Sequence, residues 1–347
     1  MEKKAKRKKL FLGILSAFTI IMLVLAVVGL VVFTLQVSAY EASGIDEYQT
    51  YSRLYAFIPN DPDSTVSENL YQNLRAYGVQ NDCLVEKMGA DLVTTYSKEE
   101  LISIAIRSKV SGIILEGDDS EETAALIDQA VVAGIPVVTV MTDAPGSSRC
   151  SFVGLNNYSA GVEYGELILD AASNYNSEYI RALVIMSADD SNESVIYSAI
   201  QEKLQGSGID LSSVAIVSDS AFSAEERIVD TLDAYTFLPD IIVCLSDINT
   251  RCAYQYIVDK NYVGYISFIG YYDSDTVLEG IDRGAIDATF SVDTEQLAMY
   301  CVDALNEYIE SSYVSMYFST DYVLIDRHNV SGYIEERAAQ EASDEED

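Results

Sequence analysis

Apolar residues in this chain fall into short unbroken runs, separated by stretches in which they recur every three to four positions. The runs "RLYAFIP" (53–59), "SGIIL" (111–115), "IPVVTVM" (135–141), "RALVIM" (181–186), "VAIV" (214–217), "DIIVCL" (240–245), "GYISFIG" (264–270) and "DATFSV" (287–292) predict strands. Runs apolar on both faces belong to parallel strands buried between helices. Between the runs, "STVSENLYQNLRAYG" sets Val66, Leu70, Leu74 and Tyr77 on one helical face and stops at Gly78. "SKEELISIAIRSK" opens with a capping box, Ser97 and Glu100. "DSEETAALIDQAVVAG" predicts a helix capped near Asp119 and closed by Gly134, and further helices are predicted near 192–205, 224–235, 248–259 and 275–283. Strand–helix alternation repeated in two blocks predicts an α/β fold of two doubly wound parallel-sheet lobes. A ligand cleft then lies between them, at the C-terminal strand ends.

The pattern breaks at the N-terminus. Residues 10–35, "LFLGILSAFTIIMLVLAVVGLVVFTL", carry no charge and follow the basic cap "MEKKAKRKK". That length spans a bilayer, and the flanking Lys and Arg hold residues 1–9 in the cytoplasm. The expectation is a single-pass cell-membrane protein with its binding domain extracellular or periplasmic. "VSA" at 37–39 has the small-residue spacing of a cleavage site, so removal of residues 1–39 stays open. Residues 36–51 read as a polar stalk and "EERAAQEASDEED", 335–347, as an acidic disordered tail.

Charge narrows the partners. The first nine residues hold six of the 21 Lys+Arg and one of the 55 Asp+Glu; the rest therefore carries 15 basic against 54 acidic residues, a net −39. Such a surface excludes nucleic acid as a partner. Five scattered cysteines without a CxxC, and a single His, His328, give no metal cluster and no His-based triad. Neither GxSxG, Walker A, HExxH nor a post-strand GxGxxG occurs, so neither enzyme activity nor a cofactor is expected.

Four segments occur in a familiar order. They are "KVSGIILEGDDSEETAALIDQAVVAGIPVVTVMTD" (109–143), "SFVGLNNYSAGVEYGELI" (151–168), "IIVCLSD" (241–247) and "GYYDSDTVLEGIDRGAIDATFSVDTEQLAMYCVDAL" (270–305). Together they resemble the type I periplasmic binding proteins of the ribose/galactose-binding branch, over about residues 54–330. The resemblance implies two lobes joined by three crossovers: 52–153 plus 293–318 as lobe I, and 154–292 plus 319–334 as lobe II. It also implies hinge closure on a small ligand.

The carried-over contact positions depart from the sugar-binding pattern. The Asp-Arg pair after "IPVV" falls on Met141 and Thr142, with Asp143 one step on. The helix Arg falls on Ile196, the Asn of "ND" on Ser246, an Asp on Tyr272 and a Gln on Val292. What remains polar gives the candidate ligand-binding residues: Asp143 and Met141 from lobe I; Asn192, Asp247, Tyr272 and Asp273 from lobe II; then Asp61 and Asp293. Helix capping and turn formation account for Asp at such positions equally well. Asn157 is expected to cap its helix at the hinge, and Tyr272 to stack on a flat ligand or simply to pack.

Three functions compete. One is a membrane-anchored solute-binding protein delivering a small ligand, such as a carbohydrate, to an ABC permease. Another is a receptor beside a sensor histidine kinase. The last is an interaction module whose sugar site is degenerate.

Overall fold

The computed structural model describes residues 50–344, apart from 63, 91–93, 95, 178, 189 and 218–220. The apolar run 10–35, and most of the stalk at 36–51, lie outside these residues. Among the described residues no helix is long and apolar enough to cross a membrane.

Two six-stranded sheets organise the described residues from Tyr51 onward. The first contains β1 (Arg53–Ile58), β2 (Cys83–Lys87), β3 (Gly112–Leu115), β4 (Val137–Val140) and β5 (Ser151–Leu155), with the late strand β11 (Tyr317–Thr320) at its edge. Its order is β11-β5-β4-β3-β1-β2 and every pair is parallel. The second contains β6 (Ile180–Ser187), β7 (Ile209–Ile216), β8 (Ile241–Cys244), β9 (Ser267–Tyr271), β10 (Ala288–Val292) and β12 (Tyr322–Asp326). Its order is β12-β10-β9-β8-β6-β7, and only β12 runs antiparallel. The sheets exchange chain three times: after Leu155, after Val292, and between Thr320 and Tyr322.

Helices cover both faces of each sheet. Lobe I carries α1 (Thr65–Gln80), α2 (Lys98–Ser108), α3 (Glu121–Val132) and, after the excursion through lobe II, α9 (Thr294–Ser311). Lobe II carries α4 (Asn157–Ser173), α5 (Ser191–Lys203), α6 (Ala221–Asp233), α7 (Asp247–Asp259), α8 (Asp275–Asp282) and α10 (Val330–Asp344). The reasons are local. The Ser97 hydroxyl accepts from Glu100 N–H while the Glu100 carboxylate accepts from Ser97 N–H, closing the capping box of α2. Leu70 and Leu74 of α1 pack with Tyr55 and Phe57 of β1 and Leu297, Cys301 and Leu305 of α9. Full burial of each such side chain contributes roughly 1.5–3 kcal/mol. Cys83, Cys244 and Cys301 are among these buried apolar positions, and all five thiols are free.

Three expectations need correction. The strand read as 214–217 begins at Ile209, because the Gly206–Gly208 turn, with both glycines at positive φ, releases the chain into the sheet earlier. The cap of α3 is Ser120, whose hydroxyl accepts from Thr123 N–H; Asp118 instead accepts from Ser120 N–H. Residues 335–344, read as a disordered tail, continue α10. Ala, Glu and Arg are strong helix formers, and Arg337 and Tyr333 tie this helix to lobe II.

Candidate functional site

The C-terminal ends of the strands bring short polar segments of the two lobes face to face. Lobe I supplies Asn60 and Asp61 after β1, Glu116 to Asp119 after β3, and Met141 to Asp143 after β4. Lobe II supplies Asp190 to Glu193 after β6, Asp247 after β8, and Tyr272 and Asp273 after β9. Gly117 lets two of the lobe I loops touch: its N–H donates to Thr142 O at 2.9 Å, and a Cβ there would sit 2.7 Å from the Asp143 carbonyl. Gly161 does the same for the helices of lobe II, where a Cβ would lie 2.5 Å from Ile196 O on α5.

Direct bonds join the lobes. Asn192 Nδ2 donates to Met141 O at 2.9 Å, and Asn69 Nδ2 of α1 donates to the Tyr272 hydroxyl at 2.8 Å. Between them remains a cavity of about 40 Å³, bounded by Met141, Asp190, Asn192, Glu193, Ile196 and Tyr271. That is room for a few water molecules, against roughly 300–1,000 Å³ for ordinary ligand pockets. Tyr271 packs against the cores of both lobes.

The interface is acidic, and burial controls its electrostatics. The Glu116 carboxylate accepts from Asn60 N–H and the Ser67 hydroxyl, both at 2.9 Å, yet its burial pushes its pKa up to about 7. Burial raises Asp190 to about 6, and nearby Asp119 of lobe I adds to that rise. Glu193 lies well above the usual carboxylate range through burial and the neighbouring Asp190. Rim cations are engaged: Lys98 with Asp118, Arg149 with Asp143, Arg251 with Asp247 and Arg337 with Asp275.

The eight sequence candidates separate into groups. Met141, Asn192 and Tyr272 form the lobe–lobe contacts, the first two also lining the cavity. Tyr272 is 2% exposed, packed rather than open for stacking. Asp247 is buried, with its pKa raised by desolvation; Arg251 holds Oδ2 at 3.1 Å while Oδ1 has no partner. Asp61 of lobe I and Asp273 both act on it electrostatically. Asp143 and Asp273 are held inside their own lobes. Asp143 accepts from the Thr139 hydroxyl at 2.7 Å, from Ala144 N–H at 2.8 Å and from both arms of the Arg149 fork. Asp273 accepts from the Tyr333 hydroxyl at 2.6 Å, and Arg337 binds its backbone carbonyl. Asp293 caps α9, accepting from Gln296 N–H at 2.8 Å. Asn156, not Asn157, caps α4; Asn157 lines the cavity.

Glu116, Asp190 and Asn69 were not singled out from the sequence. Glu116 had one signal: a carboxylate placed directly after the buried run "GIIL". Among the described residues no group of three or more His, Cys, Asp or Glu could hold a metal ion.

No curated protein matches the chain in sequence. Solved structures do match in fold. The glucose-galactose binding protein GanP from Geobacillus stearothermophilus superposes with a TM-score of 0.70 at 19% identity, covering 80% of this chain and 98% of that one. A solute-binding protein of an ABC transporter from Agrobacterium vitis, bound to α-D-tagatopyranose, gives 0.70 at 15% identity over 80% and 96% of the chains. XylFII in its complex with LytSN gives 0.67 at 21% identity over 80% and 98%. Residues 55–312 match the family described as "Periplasmic binding protein domain". With its paired parallel sheets, triple crossover and inter-lobe cleft, this chain belongs to the type I periplasmic binding proteins.

Proposed function

We propose that this protein is an extracytoplasmic, membrane-anchored receptor that binds a small polar solute between its lobes and passes its conformation to a signalling partner. The observation that carries the reading is the meeting of strand-end polar groups from both lobes, through Asn192–Met141 and Asn69–Tyr272. Ligands act on such a protein by differential affinity for its open and closed states. The charge-free run at 10–35 supports an anchor. Similar structures include sugar-bound solute-binding proteins of ABC transporters and a XylFII–LytSN complex, which supports a sugar-like solute and leaves both an ABC permease and a protein partner as routes for the signal. The second reading, an interaction module with a degenerate sugar site, is favoured by Ile196, Val292 and Tyr272 at positions where sugar binders carry polar contacts.

The test is thermal melting of the full chain in detergent with D-galactose, D-glucose, D-xylose or D-arabinose. A ligand at 100 times its Kd stabilises by about 2.7 kcal/mol and raises the melting temperature. A flat response to all four sugars refutes the sugar-receptor reading.

A further inference from the structure

The chain enters lobe I at a fixed place. Every strand pair of its sheet is parallel, so all six strands start at one end of the sheet, β1 and β11 among them. Arg53, the first residue of β1, donates to Glu310 at 3.0 Å and to Asn306, both in the second half of α9. The Tyr55 hydroxyl donates to the same Asn306 side-chain carbonyl at 2.7 Å. The incoming chain is thereby fixed beside the end of α9. The segment 312–316 leaves α9 there on its way to β11.

That segment divides its apolar residues between the core and solvent. Val314 is 5% exposed and joins the core of lobe I, whereas Tyr313 and Met316 are 74% and 72% exposed. Their backbone is pinned. Ser312 closes α9 at φ 58°, and Tyr313 N–H donates to the Ser311 hydroxyl at 3.1 Å. Met316 O accepts from Phe152 N–H at 3.0 Å and from the Arg149 guanidinium at 3.3 Å. Exposed Ile309 lies one turn back along α9. A short loop anchored by Val314 and held at both ends therefore presents an aromatic ring and a thioether to solvent, the kind of patch that marks a contact surface.

The sequence supplies the occupant. Residues 10–35 carry no charge, and the 15 residues 36–50 separate them from Tyr51. Fifteen residues reach at most about 50 Å even when fully extended, and this tether ends beside the loop that carries Tyr313 and Met316. We infer that the 312–316 loop is a membrane seat: Tyr313 and Met316 rest in the interfacial layer of the bilayer in which residues 10–35 are anchored. Tyr suits that layer, with an apolar ring and a polar tip. The acidic surface of the chain repels anionic lipid, so the contact is made by apolar insertion into zwitterionic lipid. This rests on the membrane anchor of the proposed function and adds an orientation to it. Lobe I is held against the bilayer, and lobe II is the lobe left to move when solute binds.

The chain contains no Trp, so a single introduced Trp is the sole reporter of its surroundings. Full-length Tyr313→Trp and Met316→Trp are reconstituted in phosphatidylcholine vesicles, with and without bromine on the acyl chains near the headgroup. Emission from both is expected to lose intensity in the brominated lipid. Tyr265→Trp reports from lobe II, where Tyr265 is equally exposed ahead of β9, and is expected to keep its intensity. The part played by the loop itself is read from Ile309→Trp, whose quenching should weaken when Tyr313→Ser and Met316→Ser are added. Reporters at 313 and 316 quenched no more than the one at 265 overturn the seat. So does quenching of Ile309→Trp that the serine pair leaves unchanged. Flotation of the vesicles after an alkaline wash keeps the two readings apart. A chain that floats with the lipid but is not quenched sinks the seat and keeps the anchor, whereas a chain washed off the lipid sinks both.

Discussion

Replacing Glu116 by Gln tests the electrostatics of the interface most directly. The carboxyl sits at the end of β3, 6% exposed, with Asn60 N–H on one oxygen and the Ser67 hydroxyl on the other. Burial raises it from 4.5 to about 7, so between those values the folded chain holds a proton that the unfolded chain has released. More protons bound when folded means that stability falls as pH rises through this window. The contribution is fully present below about pH 4.5 and lost above about pH 7. At 1.36 kcal/mol per unit, the shift amounts to about 3 kcal/mol. Glutamine keeps the shape, accepts from Asn60 N–H and donates to the rotatable Ser67 hydroxyl, and does not titrate. Asp190 and Glu193 contribute slopes of the same sign in both proteins and cancel in the difference. Urea denaturation of the two proteins at intervals from pH 5 to 8 should give curves that diverge, with Glu116→Gln gaining up to about 3 kcal/mol relative to the parent at the alkaline end. Parallel curves would refute the buried, proton-holding Glu116.

Two further outcomes follow from the packing. Asp143→Asn breaks the fork to Arg149 and leaves a guanidinium largely enclosed, so denaturant titration should show a loss of about 3 kcal/mol; a change below about 0.5 kcal/mol would mean that the pair is solvated. Gly161→Val forces a side chain against Ile196 O and Ala199 of α5, and calorimetry should show a loss of about 1–3 kcal/mol, whereas an unchanged melt would mean that α4 and α5 are not in close contact.

The framework was legible wherever a local pattern was sufficient. Fully buried parallel strands leave no polar face, so "GIIL", "VVTV" and "IIVC" announce themselves, and Ser97–Glu100 marked its helix start by chemistry three residues wide. β2, "CLVEK", alternates buried and exposed positions at the sheet edge and lacked that signature. The site was legible only as a location. Asp143, Asp273 and Asp293 were candidates because they are carboxylates at strand ends. Asp293 follows the local capping rule, accepting from Gln296 N–H three residues on; whether Asp143 and Asp273 face the cleft or are satisfied within their lobe depends on Arg149 and Tyr333, which no local rule selects. The same holds for Asn69 and Tyr272, 203 residues apart in sequence. In 335–344 the acidic charge suggests a solvated tail, but Ala, Glu and Arg favour helix and α10 runs through the segment.

The triple crossover also orders events during synthesis. The core of lobe I takes Leu297, Cys301, Val302 and Leu305 from α9, and its sheet takes β11 at the outer edge. Both emerge from the ribosome only after β6 to β10 have been made. The first 103 residues from Arg53 to Leu155 therefore wait with an uncovered apolar face while lobe II assembles its own sheet up to β10. The lobe begun first is finished second, and the last step of its folding threads the chain back across the hinge it has just built. A nascent chain halted near residue 292 would present a nearly complete lobe II beside an unfinished lobe I, the stage at which a chaperone has most apolar surface to hold.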